Sequence, residues 1–277
     1  MTRLRDVLER ATDRLATSGV QSARFDAEEL AAHSLGVTRG DLWRHDVPGG
    51  EFESYVVRRA AREPLQHITG QAYFRHLTLA VGPGVFVPRP ETEIVAEAAI
   101  VAARVVQSPR VVDLGTGSGA IALSVAGEVA GATVHAVEAD PDAHAWAARN
   151  CAGSAVDLRL GDMAGAFADL DATVDVVVSN PPYIPVGASV RDPEVAAHDP
   201  ALALWSGADG LDAVRVVERV AARLLRPGGT VVVEHADLQG SSAPVVFSAA
   251  GRWDGVQDHQ DLAGRDRYLT ATRTTTA

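Results

Sequence analysis

The sequence predicts an α/β protein: a doubly wound parallel-sheet domain preceded by a small all-helical domain, with a β-hairpin between them. Three observations lead there. From Arg110 onward, short apolar runs alternate with helical stretches, the pattern of strands buried on both faces of a parallel sheet. The first 70 or so residues carry apolar positions at helical spacing and no strand-like run. Between residues 71 and 88 the apolar period drops to two, broken by Gly82, Pro83 and Gly84. The expected boundaries are 1–72 for the helical domain, 73–88 for the hairpin linker and 89–277 for the sheet domain.

Each element has its own grounds. Leu4, Leu8, Ala11 and Leu15 share one helical face. Asp26 followed by Glu29 reads as a capping box before Leu30, Ala31 and Leu35, in a helix that Gly36 ends. A further helix is expected near Thr38 or Asp41, and another over Phe52 to Arg62 with Tyr55, Val56 and Ala60 inward. Tyr73, Phe74, Leu77, Leu79, Val81, Val85 and Val87 supply the hairpin. In PRPETE, Pro90 suits a first helical turn, and Glu91 and Glu93 sit at the positive end of its dipole; Ile94, Val95, Ala98 and Val101 continue the helix. Strands are expected at 110–114, 133–138, 156–160, 174–179 and 230–235, with a late one around 268–272. Helices at 119–129, 141–150 and 209–225 separate most of them, and TRTTTA is expected to be a frayed tail.

Composition narrows the class. The 277 residues, 47% hydrophobic and 22% charged, can fill a real core, which excludes a disordered or fibrous chain. No run approaches the roughly 20 apolar residues of a membrane span, and the amino end lacks a signal peptide's apolar block, so a cytoplasmic protein is expected. One cysteine, Cys151, excludes an internal disulfide, and nine scattered histidines offer no paired-ligand spacing, so no metal is expected. Every basic residue is arginine, and the net charge of -11 lies wholly beyond residue 80. Gripping a phosphate backbone usually requires a basic excess, so extended nucleic-acid binding is disfavoured.

The residues with chemistry sit at strand ends, where ligands of doubly wound folds bind. DLGTGSG, Asp113 to Gly119, follows the first strand; Gly115, Gly117 and Gly119 allow a sharp turn and close approach of a ligand to the backbone around Thr116 and Ser118. The spacing is GxGxG, not the dinucleotide GxGxxG, which fits an adenosyl ligand lacking a pyrophosphate better than NAD. Glu138 ends the second strand, where a carboxylate can accept bonds from both ribose hydroxyls. Asp162 and Met163 follow the third strand and would border the adenine.

Asn180, Pro181, Pro182 and Tyr183 follow the fourth strand. An amino nitrogen conjugated to a carbonyl or ring is a poor nucleophile because its lone pair is delocalised. Two fixed acceptors, the Asn180 side-chain oxygen and the Pro181 carbonyl, can orient its hydrogens and aim the lone pair at a sulfonium methyl. Proline rigidity holds the carbonyl, and Tyr183 can pack on a planar amide or base. The candidate amino groups are adenine N6, cytosine N4, guanine N2 and the glutamine side-chain amide. The adjacent Arg89, Glu91 and Glu93 read equally well as decoration of a helix start or as parts of the site. His67 and His235 have no visible nucleophile partner and read as packed histidines, and Cys151 as a helix-end residue.

DLGTGSG, Glu138 and NPPY together resemble class I S-adenosylmethionine-dependent methyltransferases of Rossmann-like fold. REPLQHITG at 62–70, FVPRPETE at 86–93, HDPALALWSGADGLD at 198–212, RPGGTVVVEH at 226–235 and DLAGRDRYL at 261–269 narrow the likeness to the HemK/PrmC family. That resemblance implies methylation of the glutamine of the Gly-Gly-Gln motif in class-1 peptide chain release factors, with S-adenosylmethionine as cofactor. It places cofactor contacts on Gly115 to Gly119, Glu138, Met163 and Asn180, and substrate contacts on Asn180 to Tyr183 with Arg89 beside them. Two positions depart from the family: Glu138 stands where relatives often have Asp, and Met163 where an aromatic can occur. The resemblance gives the helical domain the task of docking the release factor, with the protein expected to act as a monomer holding no stable nucleic acid or membrane. A nucleic-acid amino-methyltransferase is the alternative.

Overall fold

The computed structural model describes residues 3–190 and 192–275. The chain divides into two compact units: one holds residues 1–71 with 81–83 and 190–198, the other residues 72–80, 84–189 and 199–277.

The helical unit opens with α1 (Leu4–Thr17) and α2 (Ala23–Leu35), followed by α3 (Gly50–Ala60) and the short α4 (Leu65–Thr69). Leu8 and Leu15 of α1 pack with Leu30 and Ala31 of α2, Leu42, Phe52, Val56 and Ile68. Gly36 adopts the left-handed conformation, φ 66°, and ends α2. The capping box expected at Asp26 does not form: α2 starts one turn earlier, and Asp26 lies buried inside it, accepting from Ser22 Oγ at 2.8 Å and Arg59 Nε at 2.7 Å. Near Thr38 and Asp41 there is a single 3₁₀ turn, Leu42–Arg44, because the Thr38 hydroxyl closes locally on the Asp41 carboxylate. On α3 the buried positions are Phe52, Val56 and Arg59; Tyr55 and Ala60 are half-buried.

The sheet unit begins with the hairpin β1 (Gln71–Phe74) and β2 (Leu77–Ala80), shorter than expected; Val85 and Val87 are buried outside any strand. Helix α5 (Thr92–Arg104) starts after Pro90 and Glu91 and buries Val95, Ala96, Ala99, Ile100 and Ala103. Ile94, Val95, Ala98 and Val101 all lie in it as expected, with Val101 on its exposed face. Then follow β3 (Arg110–Leu114), α6 (Ala120–Glu128), β4 (Thr133–Glu138), α7 (Pro141–Cys151), β5 (Asp157–Leu160) and β6 (Val174–Ser179). The short α8 (Pro193–His198) belongs to the helical unit, where its Glu194 accepts from Arg59 Nη1 at 2.6 Å. The chain closes with α9 (Asp212–Leu224), β7 (Leu225–Glu234), α10 (Ser242–Ser248), β8 (Trp253–Gln260) and β9 (Asp266–Arg273).

The seven-stranded sheet has the order β5-β4-β3-β6-β7-β9-β8. Strands β5 to β7 pair in parallel, while β9 runs antiparallel to β7 and β8 antiparallel to β9. Chain order reverses between β3 and β6, so their carboxyl ends open the crevice in which doubly wound folds bind ligands. Strand β7 starts five residues before the expected Thr230, with a register shift against β6 near Val174. The expected frayed tail is partly paired: β9 runs through Thr272 and Arg273, and residues 276–277 lie outside the described residues. Behind the crevice, Val112, Leu114, Val177, Val231 and Val233 pack against Val214, Val217, Phe247 and Trp253, a rigid floor for the loops above.

Candidate active site

The glycine-rich loop is set by two carboxylates. Asp113, buried in β3, accepts from Thr116 Oγ1 at 2.6 Å and from the Ala122 N–H at 3.2 Å, tying the loop to the start of α6. Burial pushes the Asp113 carboxyl up to about 7, against the pull of those two donors. Gly115, Gly117 and Gly119 all have positive φ, 72°, 58° and 86°, which residues with a Cβ rarely adopt. Glu138, at the end of β4, accepts from the Gly117 N–H at 2.8 Å through Oε2 and from the Ala139 and Asp140 N–H groups at 2.8 and 2.9 Å through Oε1. Three amides therefore fix a carboxylate whose remaining lone pairs can serve hydroxyl donors. Thr116 and Ser118 are buried in the loop, and the Ser118 carbonyl accepts from Asn150 Nδ2 at 2.9 Å. Asp162 spends Oδ1 on the Ala164 N–H at 2.8 Å, and Met163 lies half-buried against the main core.

The NPPY segment leaves β6 under several restraints. Ser179 Oγ donates to the Leu114 carbonyl at 2.7 Å, tying the ends of β6 and β3 together. Asn180 Nδ2 donates to Thr92 Oγ1 at 3.2 Å, which reserves its Oδ1 as an acceptor. Pro181 is buried, and Tyr183 sends its hydroxyl inward to donate to Glu234 Oε1 at 3.3 Å. Burial and the Glu234 charge push the Tyr183 phenol far above its ordinary value, so it stays protonated. The backbone beyond is clamped: Ile184 N–H donates to the Leu204 carbonyl, and the Ser206 and Val186 N–H groups donate to Ile184 and Gly207 carbonyls, all at 2.8 Å. Gln239 Nε2 donates to the Tyr183 carbonyl at 3.1 Å. Gly210 passes so close that a Cβ there would lie 2.3 Å from the Tyr183 oxygen.

Comparison with known proteins decides the family. Residues 6–70 match the model of the PrmC N-terminal domain, and residues 77–193 that of the methyltransferase small domain. The chain is 59% identical over 268 residues to the release factor glutamine methyltransferase of Streptomyces coelicolor, covering 94% of this chain and 95% of that one. The chain belongs to the release factor glutamine methyltransferase family.

Members of this family are S-adenosylmethionine-dependent enzymes. The corresponding methyltransferase of Mycolicibacterium smegmatis is 50% identical, over 99% of both chains. A relative of another name, a 4-amino-L-phenylalanine/4-methylamino-L-phenylalanine methyltransferase of Streptomyces pristinaespiralis, is 42% identical over 98% of this chain and 95% of its own. Among solved structures, a 16S rRNA N2 methyltransferase of T. thermophilus, in complex with AdoMet and guanosine, superposes with a TM-score of 0.53 at 22% identity. It covers 73% of this chain and 49% of that chain, and shows the shared fold.

Against the release factor glutamine methyltransferase pattern, the remaining residues fall into place. Arg89 donates through Nη2 to Asp199 at 2.9 Å and lies over the Phe86 ring, 5.1 Å from its centre, so its guanidinium is committed to the loop that Asp199 opens. Glu93 accepts from the Arg75 N–H at 3.0 Å and is structural. His67 packs in the helical unit edge-on to His198, and His235 is buried between the Ala236 carbonyl and Asp258. The Cys151 thiol, pushed up to about 11 by burial and by Asp113, is not a nucleophile at neutral pH. Sequence reasoning missed Thr92, Glu234, Gln239 and Gly210. Glu234 carried a readable signal, a carboxyl at the end of the apolar run TVVVEH; the others owe their roles to contacts distant in sequence.

Proposed function

We infer that this protein transfers one methyl group from S-adenosylmethionine to the side-chain amide nitrogen of glutamine in the Gly-Gly-Gln motif of class-1 peptide chain release factors. The observation that carries this reading is the Asn180 carboxamide, held by Thr92 so that Oδ1 is the acceptor left over at the crevice beside the glycine loop. Identity of 59% and 50% to relatives named for that reaction supports it.

The Gly115 to Gly119 backbone would lie along the methionyl part of the cofactor, Glu138 would accept from the ribose hydroxyls, and Met163 would border the adenine. The cofactor supplies an electrophilic sulfonium methyl. Asn180 Oδ1 and the Pro181 carbonyl would accept the two N–H bonds of the substrate amide, withdrawing its hydrogens from the approach line and turning the nitrogen lone pair to the methyl. The nitrogen becomes acidic only as it gains positive charge, so its proton can leave without a strong base. Pro182 and the ring of Tyr183 would wall the amide.

In this reading the helical unit docks the release factor away from the glutamine, through the exposed Phe25 and Trp43 that carry Arg39 and Arg24 over their rings. The enzyme then works as a cytoplasmic monomer with no stable nucleic acid or membrane. Among the described residues no helix is long and apolar enough to cross a membrane. The test supplies purified enzyme and S-adenosylmethionine with an intact release factor, a ribosomal RNA fragment, a DNA oligonucleotide or 4-aminophenylalanine. Methyl transfer to the release factor is expected; transfer to another acceptor with the release factor untouched would replace the reading.

A further inference from the structure

After Tyr183 the chain makes a long excursion, which contributes residues 190–198 to the helical unit and returns at Asp209, just before α9. Gln239, in the turn after β7 and 6% exposed, spans the neck of that excursion. Its Oε1 accepts from the Ala236 N–H at 3.0 Å. Its Nε2 donates to the Tyr183 carbonyl at 3.1 Å and to the Asp209 carbonyl at 3.3 Å. One acceptor oxygen and two N–H donors, the full set of a carboxamide, thus meet one backbone donor and two backbone carbonyls. Gly210 leaves the room for this: at φ 77°, a Cβ there would lie 2.3 Å from the Tyr183 oxygen and 2.7 Å from Gln239 Nε2.

Resting on the methyltransferase reading above, we propose that Gln239 is a positioning residue, a latch across the neck that sets the NPPY segment for the substrate amide. The segment is held at its start, where Ser179 Oγ donates to the Leu114 carbonyl and Asn180 Nδ2 to Thr92. At its far end the Tyr183 hydroxyl is on Glu234 and the Tyr183 carbonyl is on Gln239. Pro181 and Pro182 lie between with fixed φ, so pinning both ends leaves the Pro181 carbonyl little freedom. The glycine loop is held separately, from β3 by Asp113 and from β4 by Glu138. Loss of the latch therefore acts on the substrate amide and spares the cofactor. The chemistry of the latch is specific. A carboxylate at position 239 keeps the Ala236 N–H but sets an oxygen without a proton against two carbonyls. Once protonated it can donate to one of them.

The test compares wild type, Gln239→Glu and Gln239→Met for kcat and KM on an intact release factor, and by calorimetry for affinity toward S-adenosylmethionine. Near neutral pH both variants should lower kcat/KM about 10-fold or more, with cofactor affinity within about 2-fold of wild type. Relative to wild type, Gln239→Glu should recover as pH falls, whereas Gln239→Met, which fills the space without bonds, should not. A merely space-filling role would give no such difference between the two. Full kcat/KM in either variant at neutral pH, or a loss of cofactor affinity as large as the loss of turnover, would overturn the latch and leave the functional reading intact.

A second readout does not depend on turnover. Hydrogen exchange followed by mass spectrometry should show peptides covering 183–189 and 203–210 exchanging about 10-fold faster in Gln239→Met than in wild type, with those covering 113–122 unchanged. In Gln239→Glu the same neck peptides, corrected for intrinsic exchange, should regain protection as pH falls, a comparison made within one protein. Neck peptides as protected in both variants as in wild type would refute the latch even if no substrate were methylated.

Discussion

Replacing Asp113 by Asn should make the cofactor-free protein more stable at pH 8 and less different from wild type at pH 4. Asp113 sits in β3, paired on one side with β4 and on the other with β6, and is 1% exposed. Its Oδ2 takes both donors, Thr116 and Ala122, while Oδ1 is buried without a partner. Burial lifts the carboxyl from 3.8 to about 7. A shift of that size corresponds to about 4 kcal/mol of destabilisation of the ionised native state. The sign follows from the raised pKa. Below about pH 4 the carboxyl is neutral in both states and the penalty is absent. Between there and about 7 the native state holds the extra proton, so stability falls as pH rises; above 7 the penalty is complete. The carboxamide introduced by Asp113→Asn can keep both donors on its oxygen with no charge to desolvate. Urea unfolding of both proteins from pH 4 to 8 should show their stability difference moving toward the variant by about 2–4 kcal/mol, mostly between pH 5 and 7.5. Taking the difference removes the histidines and the salt-bridged carboxylates common to both. A difference flat with pH, or one moving toward wild type as pH rises, would show that Asp113 is not a strained buried acid.

Gly210→Ala puts a Cβ 2.3 Å from the Tyr183 carbonyl oxygen at φ 77°, so it should cost about 2 kcal/mol or more and lower kcat by displacing the NPPY segment, as thermal melts and turnover would show. Arg59→Met leaves the buried Asp26 without its cation, while Glu194 keeps Arg62 at 3.0 Å, and should destabilise the protein by about 3 kcal/mol in chemical unfolding, with Asp26→Asn recovering part of the loss. Cys151, with its thiol at about 11, should react with a thiol reagent at pH 7 far more slowly in native than in unfolded protein, which a timed labelling experiment followed by mass spectrometry would reveal.

The sheet and its crevice were legible because they rest on local signals. RVVDL, TVHAVE and VDVVVS are short apolar runs ending in glycines, an acid or prolines, and the observed strands match them residue for residue. Strand β8, WDGVQDHQ, was invisible because it lies at the sheet edge beside β9 and needs no continuous apolar run. Distant pairings were out of reach. Asp26 looks like a cap until Arg59, 33 residues on, is seen to neutralise it, and Thr92 looks like a helix-start residue until Asn180 is found donating to it. At the site, the residues that would touch ligands announced themselves by type and strand-end position, whereas the second layer of Thr92, Glu234, Gln239 and Gly210 depends on how β6, β7 and the 198–212 loop converge.

The most direct measurement is peptide mass spectrometry of a class-1 release factor after incubation with this enzyme and S-adenosylmethionine, beside Asn180→Ala. One added methyl on the glutamine of the Gly-Gly-Gln peptide is expected with wild type, with turnover lower by about 10²-fold or more in the variant. An unmodified glutamine with wild type that still binds the cofactor would contradict glutamine methylation, and equal methylation by Asn180→Ala would contradict the role given to its carboxamide.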